Sequence, residues 1–243
     1  MIYQVSPRDQ TLSAHPLHAL FFALLALPVY SVVFGAFVFS LFPEGTELAE
    51  LGSQTLWIFQ ILIQAVIFIH VTLWAERVGA GPFAGKMKAR ASWLLAAILF
   101  TPVFHLVVSV SAFYVLSSGD GSEVIRDGTA REMFSGDSAG LLMFFSLVIL
   151  APLVEEVTIR GVALGCLLGR GVPTLAAIIL QAAAFTLLHM QYTLAGLVPV
   201  FILGLFIGWL RVASKSILVP IAAHAAVNMQ AFAVLVLVAN EAV

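Results

Sequence analysis

Two adjacent glutamates and an arginine interrupt an apolar part of the chain, in the segment LVEEVTIRG (residues 153–161). An ionised side chain in hydrocarbon costs at least about 2.5 to 3.5 kcal/mol, so buried charges must be paired or face a wet cavity. Glu156 and Arg160 lie one helical turn apart with the acid first, which is the favourable order for an ion pair. Glu155 points about 100° away around the helix and therefore needs a partner from another span.

Two further polar pairs interrupt later apolar stretches with the same four-residue spacing. FTLLHM places Phe185 and His189 on one helix face, and IAAHAAVNM places His224 and Asn228 on one face of another helix. Counted from a tight hairpin between their helices, Glu155 and His189 differ in height by only about 6 Å, so they can meet. We expect His224 and Asn228 somewhat nearer the cytoplasmic face, lining a cavity that opens that way.

This combination of side chains is typical of hydrolytic chemistry. A carboxylate and a neutral imidazole that converge on one water make a general base, while an imidazole and a carboxamide are donors for a developing oxyanion. A metal-dependent protease is the alternative, because Glu155, His189 and His224 are also acceptable zinc ligands with an open position for water. We expect no cofactor and keep zinc as that alternative.

The composition explains why these polar groups need partners. The chain of 243 residues is 61% hydrophobic and 10% charged, with a mean hydropathy of +1.07, whereas an ordinary soluble domain is about a quarter charged. A net charge of -2 argues against a nucleic-acid partner. The single cysteine, Cys166, excludes an internal disulfide and a four-cysteine zinc site, and we expect it to be an apolar filler. The composition is that of an integral membrane protein.

The apolar runs predict an all-α, polytopic transmembrane helical bundle. Each run is near the length of about 20 residues that a membrane-spanning helix needs. We expect one membrane-embedded domain over residues 1–243, with N-terminal helices and loops over 1–139 and a catalytic helix core over 140–239. About seven spans are predicted, at residues 17–42, 55–75, 92–117, 140–168, 172–193, 195–212 and 217–239.

The distribution of basic residues predicts the orientation of this bundle. The segment at residues 76–90 carries four of them, and Arg170, Arg211 and Lys215 fall on the same side if there are seven spans. The positive-inside rule assigns that side to the cytoplasm, which places the N-terminus inside and the C-terminus outside. The acidic, Gly- and Ser-rich segment at 117–139 suits an outer connection or a mobile lid.

The three motifs together resemble a known family. EEVTIRG, FTLLH and HAAVN resemble, in order and approximate spacing, the EExxxR, FxxxH and HxxxN motifs of the CAAX protease and bacteriocin-processing family of intramembrane glutamyl endopeptidases. LGLFIGWL and SKSILVPIAAH also look like that family's approach to its last motif. The resemblance covers roughly residues 140–232. One departure is Ile159, which stands where an aromatic residue is common.

The resemblance implies an intramembrane endopeptidase and assigns a role to each motif residue. Glu155 and His189 would activate the attacking water, and His224 and Asn228 would support the oxyanion. Glu156 and Arg160 would support the site. The implied partners are the lipid bilayer and a peptide, a prenylated protein or another membrane protein as substrate.

Simpler interpretations stand beside these roles. Glu156 and Arg160 can be a helix-locking ion pair, Glu155 a protonated core carboxyl, and the histidines and asparagine interhelical hydrogen-bonding groups. We expect Phe185 to pack, and His70 and His105, which lie outside the motifs, to be structural. A proton-coupled transporter or a scaffold is the rival from another class, since intramembrane Glu, His and Arg also mark proton relays.

The remaining sequence features concern other protease classes and the helix backbone. The chain has no HExxH helix, no GxSxG elbow and no transmembrane GxGD aspartate. Pro102, Pro152 and Pro199 are predicted to kink their helices, and Pro152 to open the backbone just before the glutamates.

Overall fold

The computed structural model describes residues 25, 29–30, 32–33, 36–37, 40–42, 52–77, 88–116 and 140–241. From residue 52 onward, these residues form six helices: α1 (Gly52–Arg77), α2 (Ala91–Leu116), α3 (Gly140–Gly169), α4 (Thr174–Leu187), α5 (Leu194–Ser214) and α6 (Leu218–Glu241). Five of the six are long and apolar enough to cross a membrane, and α4 is the shorter one. The predicted all-α membrane bundle is confirmed.

The predicted spans agree with five of these helices and differ at α4. The predicted span at 17–42 and the segments at 78–87 and 117–139 lie largely or wholly outside the described residues. The predicted span at 172–193 is too long, because α4 has only 14 residues and therefore extends about 21 Å, against about 30 Å of hydrocarbon. The chain leaves the helix after Leu187 and turns, with the N–H of His189 donating to Thr186 O. No Gly or Pro marks this end in the sequence.

Helix α3 carries the two glutamates and contains two π-helical segments, Phe145–Leu150 and Val157–Ala163. The short α-helical segment Ala151–Glu156 lies between them. π-helical turns are rare and occur frequently at functional sites, because the wider turn changes which side chains share a face. The backbone of α3 is therefore irregular on both sides of the glutamates.

Small residues let α5 pack closely on α4. A Cβ atom at Gly204 would lie 3.1 Å from the Cβ of Ala182, and one at Gly208 would lie 2.4 Å from Nε2 of Gln181. Gln181 is fully buried, and its Nε2 donates to the carbonyls of Ile178 and Gly204, both at 2.9 Å. The pair of glycines is the small-xxx-small pattern that allows membrane helices to approach each other.

Two apolar clusters hold the remaining helices together. One joins α1 to α3 and includes Ile67, Val71, Val154 and Cys166, so the expected packing role of the cysteine is confirmed. The other joins α2, α5 and α6. The outer surface is apolar as well, and only 11% of the apolar window of α2 is buried. Such a surface is suited to lipid contact.

Candidate active site

Glu156 is the centre of a buried polar network. Its Oε1 atom accepts a hydrogen bond from Nη1 of Arg160 at 2.9 Å and another from Nδ1 of His224 at 2.8 Å. Glu156 and Arg160 are fully buried, and His224 is 4% exposed. The predicted ion pair within α3 is confirmed. The contact with His224, 68 residues away on α6, was not predicted, and it joins the two helices through one carboxylate oxygen.

Glu155 points away from Glu156 and finds its partner on another helix, as the sequence predicts. Its Oε2 atom lies 3.9 Å from Nε2 of His224, and this oxygen has no hydrogen-bond partner among the described residues. Among the described residues Glu155 makes no direct ion pair with His189, and its approach to His224 was not predicted. The prediction that residues 188–189 are helical is wrong, because α4 ends at Leu187.

His189 lies in the turn after α4, and three contacts orient its ring. Its Nδ1 is 2.9 Å from the carbonyl oxygen of Phe185, so this nitrogen carries a proton and donates it. The ring of Phe185 lies 4.6 Å away by centroids, and the ring of Tyr192 stacks on the other side at 5.9 Å with 20° between the planes. The Nε2 atom of neutral His189 is consequently a proton acceptor.

Tyr192 had no sequence signal, yet it belongs to this site. Its N–H donates to the carbonyl of His189 at 3.0 Å, which closes the turn that stacks the two rings. Burial, and to a smaller extent the carboxylate of Glu155, raise the pKa of the Tyr192 phenol. The side chain therefore stays protonated and lies within the electrostatic field of the glutamate.

Asn228 donates a hydrogen bond to a backbone carbonyl of α3 that lacks a backbone N–H partner. The N–H of Ala151 donates to the oxygen of Ser146, five residues back. The same register would pair Leu147 O with residue 152, but Pro152 has no N–H. Nδ2 of Asn228 donates to Leu147 O at 2.8 Å instead. This bond agrees with the expectation that Pro152 opens the backbone before the glutamates, and it uses one of the two amide hydrogens of Asn228.

Phe185 packs, as expected, against the charged groups. It is 1% exposed and belongs to an apolar cluster with Ile159 and Ala163. The guanidinium carbon of Arg160 lies 4.3 Å from the ring centroid, a cation–π geometry. The ring of His224 meets the same phenyl edge-on at 5.7 Å. Ile159, where the family pattern favours an aromatic residue, is fully buried in this cluster.

A cavity of about 650 Å³ opens beside these residues. His189, His224 and Asn228 contribute to its lining, together with Tyr192 and mainly apolar side chains of α2, α5 and α6. His105 of α2 also lines the cavity, although the sequence analysis treated it as a lone structural histidine. No spacing rule could have found it, because His105 precedes the first motif residue, Glu155, by 50 residues. His70, by contrast, contacts Tyr30 by a hydrogen bond and a ring-edge contact, in keeping with a structural role.

The zinc alternative requires Glu155, His189 and His224 to converge on one point. Among the described residues, no group of three or more His, Cys, Asp or Glu side chains is arranged to hold a metal ion. Nδ1 of His224 is bonded to Glu156 and Nδ1 of His189 to a backbone carbonyl, which leaves one ring nitrogen on each. These side chains as placed do not form a zinc site, and we derive no step through a metal.

Comparison with known protein families gives a match over the motif region. Residues 137–230 match the family described as type II CAAX prenyl endopeptidase, Rce1-like. Residues 137–230, the CAAX protease segment, are therefore similar to the CAAX protease family. Neither a curated protein nor a solved structure matches the chain.

The CAAX protease segment covers somewhat under half of the chain and contains all six predicted site residues. It begins just before α3 and ends within α6, so it includes both glutamates, the turn with His189, and the last motif. Helices α1 and α2 lie outside it. The family is one of endopeptidases that act at membranes, and the apolar helices around the segment agree with that setting.

Proposed function

We propose that this protein is an intramembrane endopeptidase that hydrolyses peptide bonds of membrane-associated or lipidated peptides and proteins, with a water activated by Glu155 and His189. The observation that carries the proposal is the Oε2 atom of Glu155, which is buried without a hydrogen-bond partner and lies 3.9 Å from Nε2 of His224. A buried carboxylate oxygen without a partner is costly, and a water bound there would remove that cost.

Glu155 is the proposed proton acceptor. A water about 2.8 Å from both Oε2 of Glu155 and Nε2 of His224 would lie to one side of the line that joins them. His189 supports the base role because its Nδ1 donates to Phe185 O and leaves Nε2 as an acceptor, on a residue that lines the cavity together with His224. Two acceptors around one water favour its deprotonation when it attacks.

His224 and Asn228 are the proposed oxyanion donors. In the proposed mechanism both ring nitrogens of His224 carry a proton: Nδ1 donates to Glu156, and Nε2, 3.9 Å from Oε2 of Glu155, donates to the oxyanion. Asn228 donates one amide hydrogen to Leu147 O, and its second amide hydrogen is the proposed donor to the oxyanion. Glu156 and Arg160 act as positioning residues, because they hold His224 in place.

The proposed reaction balances without a cofactor. Glu155 takes a proton from the water, whose oxygen bonds to the scissile carbonyl carbon while the carbonyl electron pair moves onto its oxygen. The resulting oxyanion is stabilised by the donors of His224 and Asn228. When the tetrahedral intermediate collapses, the carbon–nitrogen bond breaks and the leaving amine takes the proton from Glu155.

The proposed orientation is N-terminus cytoplasmic, in a multi-pass arrangement. α4 and α5 form a hairpin that returns the chain to the side it left, whether or not the short α4 crosses the bilayer. Arg170 before this hairpin and Lys215 after it therefore share one side, which the positive-inside rule assigns to the cytoplasm. A cysteine replacing Lys88 should resist an impermeant thiol reagent in intact cells, and one replacing Asp127 should react. The reverse pattern would refute this orientation.

The grouping of polar residues favours hydrolysis over a proton relay. Glu155, Glu156, Arg160 and His224 form one contact network on α3 and α6, whereas a relay needs titratable groups in a chain across the membrane. The metal-dependent alternative is addressed by chelator. We expect cleavage to survive chelator treatment, while activity that is lost with chelator and restored by zinc would assign the site to a metalloprotease.

The test uses purified, detergent-solubilised protein and a panel of quenched fluorescent peptides, with and without a prenylated C-terminal cysteine. Glu155→Gln keeps size and shape but removes proton acceptance, so kcat should fall by about 10² or more. Val107→Ala, on the exposed face of α2, is the matched control and should keep activity. Full activity of Glu155→Gln would eliminate the glutamate-base mechanism. A comparison of membrane proteomes with and without active protein would identify the substrate.

A further inference from the structure

The cavity has a second polar wall that the motif residues do not include. α2 is mostly turned outward, and its side chains Val103 and Val107 are each 61% exposed. His105 and Ser109, one helical turn apart, face the other way and line the cavity. Both are half-buried, so a helix that mainly contacts lipid presents its polar groups to the cavity.

Within the described residues, His105 and Ser109 hydrogen-bond only with each other. Nε2 of His105 lies 3.4 Å from Oγ of Ser109, a long hydrogen bond, and within the described part of the chain neither makes another. The three polar motif residues that line the cavity are each bonded to the protein: His189 to Phe185 O, His224 to Glu156, and Asn228 to Leu147 O. Polar groups in an apolar wall are costly unless something bonds to them.

We propose that His105 and Ser109 form a binding subsite for the main chain of the peptide substrate, across the cavity from His224 and Asn228. This inference rests on the proposed endopeptidase function. A neutral imidazole has one donor and one acceptor, and a hydroxyl has both, which is the complement of peptide N–H and C=O groups. An extended peptide needs such partners, since it carries unpaired backbone groups into a bundle that offers few.

Position and size fit this role. His105 and His224 line the same cavity, and their helices α2 and α6 pack in one apolar cluster, so a peptide bonded to His105 reaches the catalytic side of the cavity. The cavity volume of about 650 Å³ is within the usual range of about 300 to 1,000 Å³ for ligand sites. The subsite is thus a specificity and alignment element on a helix outside the CAAX protease segment.

The first arm of the test measures binding without cleavage. In the Glu155→Gln background, the dissociation constant of each panel peptide is measured by fluorescence anisotropy, with His105→Leu, His105→Gln or Ser109→Ala added. We expect His105→Leu and Ser109→Ala each to weaken binding by about 3- to 10-fold, the size of one hydrogen bond. His105→Gln should recover part of the affinity, and Val107→Ala should change nothing.

The second arm changes the substrate. Replacing one amide near the scissile bond by an ester removes its N–H, and at the position that contacts the subsite this should weaken binding to the His105 protein by a similar factor. The same ester should have no further effect in His105→Leu. Equal effects of the ester in both proteins at every position would overturn the subsite.

Cleavage kinetics separate this proposal from the proposed function. In the otherwise unmodified protein, His105→Leu should raise KM and leave kcat within about twofold. A fall in kcat at constant KM would overturn the subsite, because it would make His105 part of the chemistry. Absence of cleavage by the unmodified protein would overturn the proposed function, whereas the binding arm would still decide the subsite. If His105→Leu fails to fold, Ser109→Ala and His105→Gln decide it.

Discussion

The bond between Asn228 and Leu147 O predicts a specific energetic coupling to Pro152. In the π register the N–H of residue 152 would donate to Leu147 O, but residue 152 is a proline without an N–H, so Leu147 O lacks a backbone donor. Asn228→Ala removes the substitute donor and leaves a carbonyl unsatisfied inside the bundle. Such a group costs about 1 to 3 kcal/mol when buried, and side-chain hydrogen bonds in membrane bundles are worth about 0.6 to 1.7 kcal/mol. We expect a loss of about 1 to 2 kcal/mol of unfolding free energy.

The same substitution should cost less when residue 152 is alanine. If the π register persists, the new N–H of Pro152→Ala bonds to Leu147 O directly. If the helix relaxes to the α register, the N–H of Ala151 bonds to Leu147 O instead. In both cases the carbonyl has a backbone donor. The cost of Asn228→Ala should then fall to about 0.5 kcal/mol or less, which is a coupling of about 1 kcal/mol in a double-mutant cycle.

The assay is reversible unfolding of the purified protein in mixed micelles, titrated with denaturing detergent and followed by circular dichroism. Met229→Ala is the matched control, since Met229 neighbours Asn228 on α6 but is 42% exposed. Its cost should be the same with Pro152 or with alanine at that position. If Asn228→Ala lowers the unfolding free energy equally with Pro152 and with alanine at that position, Pro152 is not the reason that Leu147 O needs Asn228 as a donor.

Three further predictions concern residues that hold the site in place. Glu156→Gln leaves Arg160 as a buried, uncompensated cation, so it should lower the unfolding free energy by about 3 to 5 kcal/mol in melting experiments. Neutral residues at both positions should recover part of this stability, and an unchanged loss would contradict the ion pair. Gly208→Ala pushes its methyl against Nε2 of Gln181 and should cost about 1 to 3 kcal/mol, whereas Gly140→Ala, with nothing within 4 Å, should be nearly neutral in the same assay. Tyr192→Leu removes the ring stacked on His189 and should lower kcat about 10-fold and alter the pH profile of activity. Tyr192→Phe should keep kcat and the pH profile unchanged. Loss of activity in Tyr192→Phe would show that the hydroxyl itself takes part.

The sequence predicted the parts of this protein that depend on local spacing. The ion pair of Glu156 and Arg160 follows from helical periodicity, and the long spans follow from hydropathy. It also predicted that Glu155 would need a partner from another helix. These features are confirmed because each depends only on residues within a few turns or on the bulk energetics of a bilayer.

The contacts that were missed depend on the backbone register and on packing between distant helices. The end of α4 at Leu187 has no Gly or Pro signal, so the turn that carries His189 was predicted as helix. The π-helical segments of α3 change which side chains share a face, and the 3.6-residue rule gives no sign of them. His105 enters the cavity through the packing of α2 on α5 and α6, which no motif encodes.

The irregular backbone of α3 gives the two adjacent glutamates different environments. Glu156 faces Arg160 and His224 and is fully buried, with Oε1 accepting from both. Glu155 is 18% exposed at its side chain, and its Oε2 approaches the other nitrogen of the same imidazole without a hydrogen bond. One histidine thus lies between a carboxylate that fixes its orientation and a carboxylate that is open to a water.

Because α3 contributes both carboxylates and α6 the imidazole, any change that shifts one helix along the other must alter both contacts together. The bond from Asn228 to Leu147 O joins the same two helices, about one helical turn away from His224 on α6. Pro152 therefore affects the placement of Glu155 as well as stability, because it deprives Leu147 O of a backbone donor and Asn228 of α6 bonds to that oxygen.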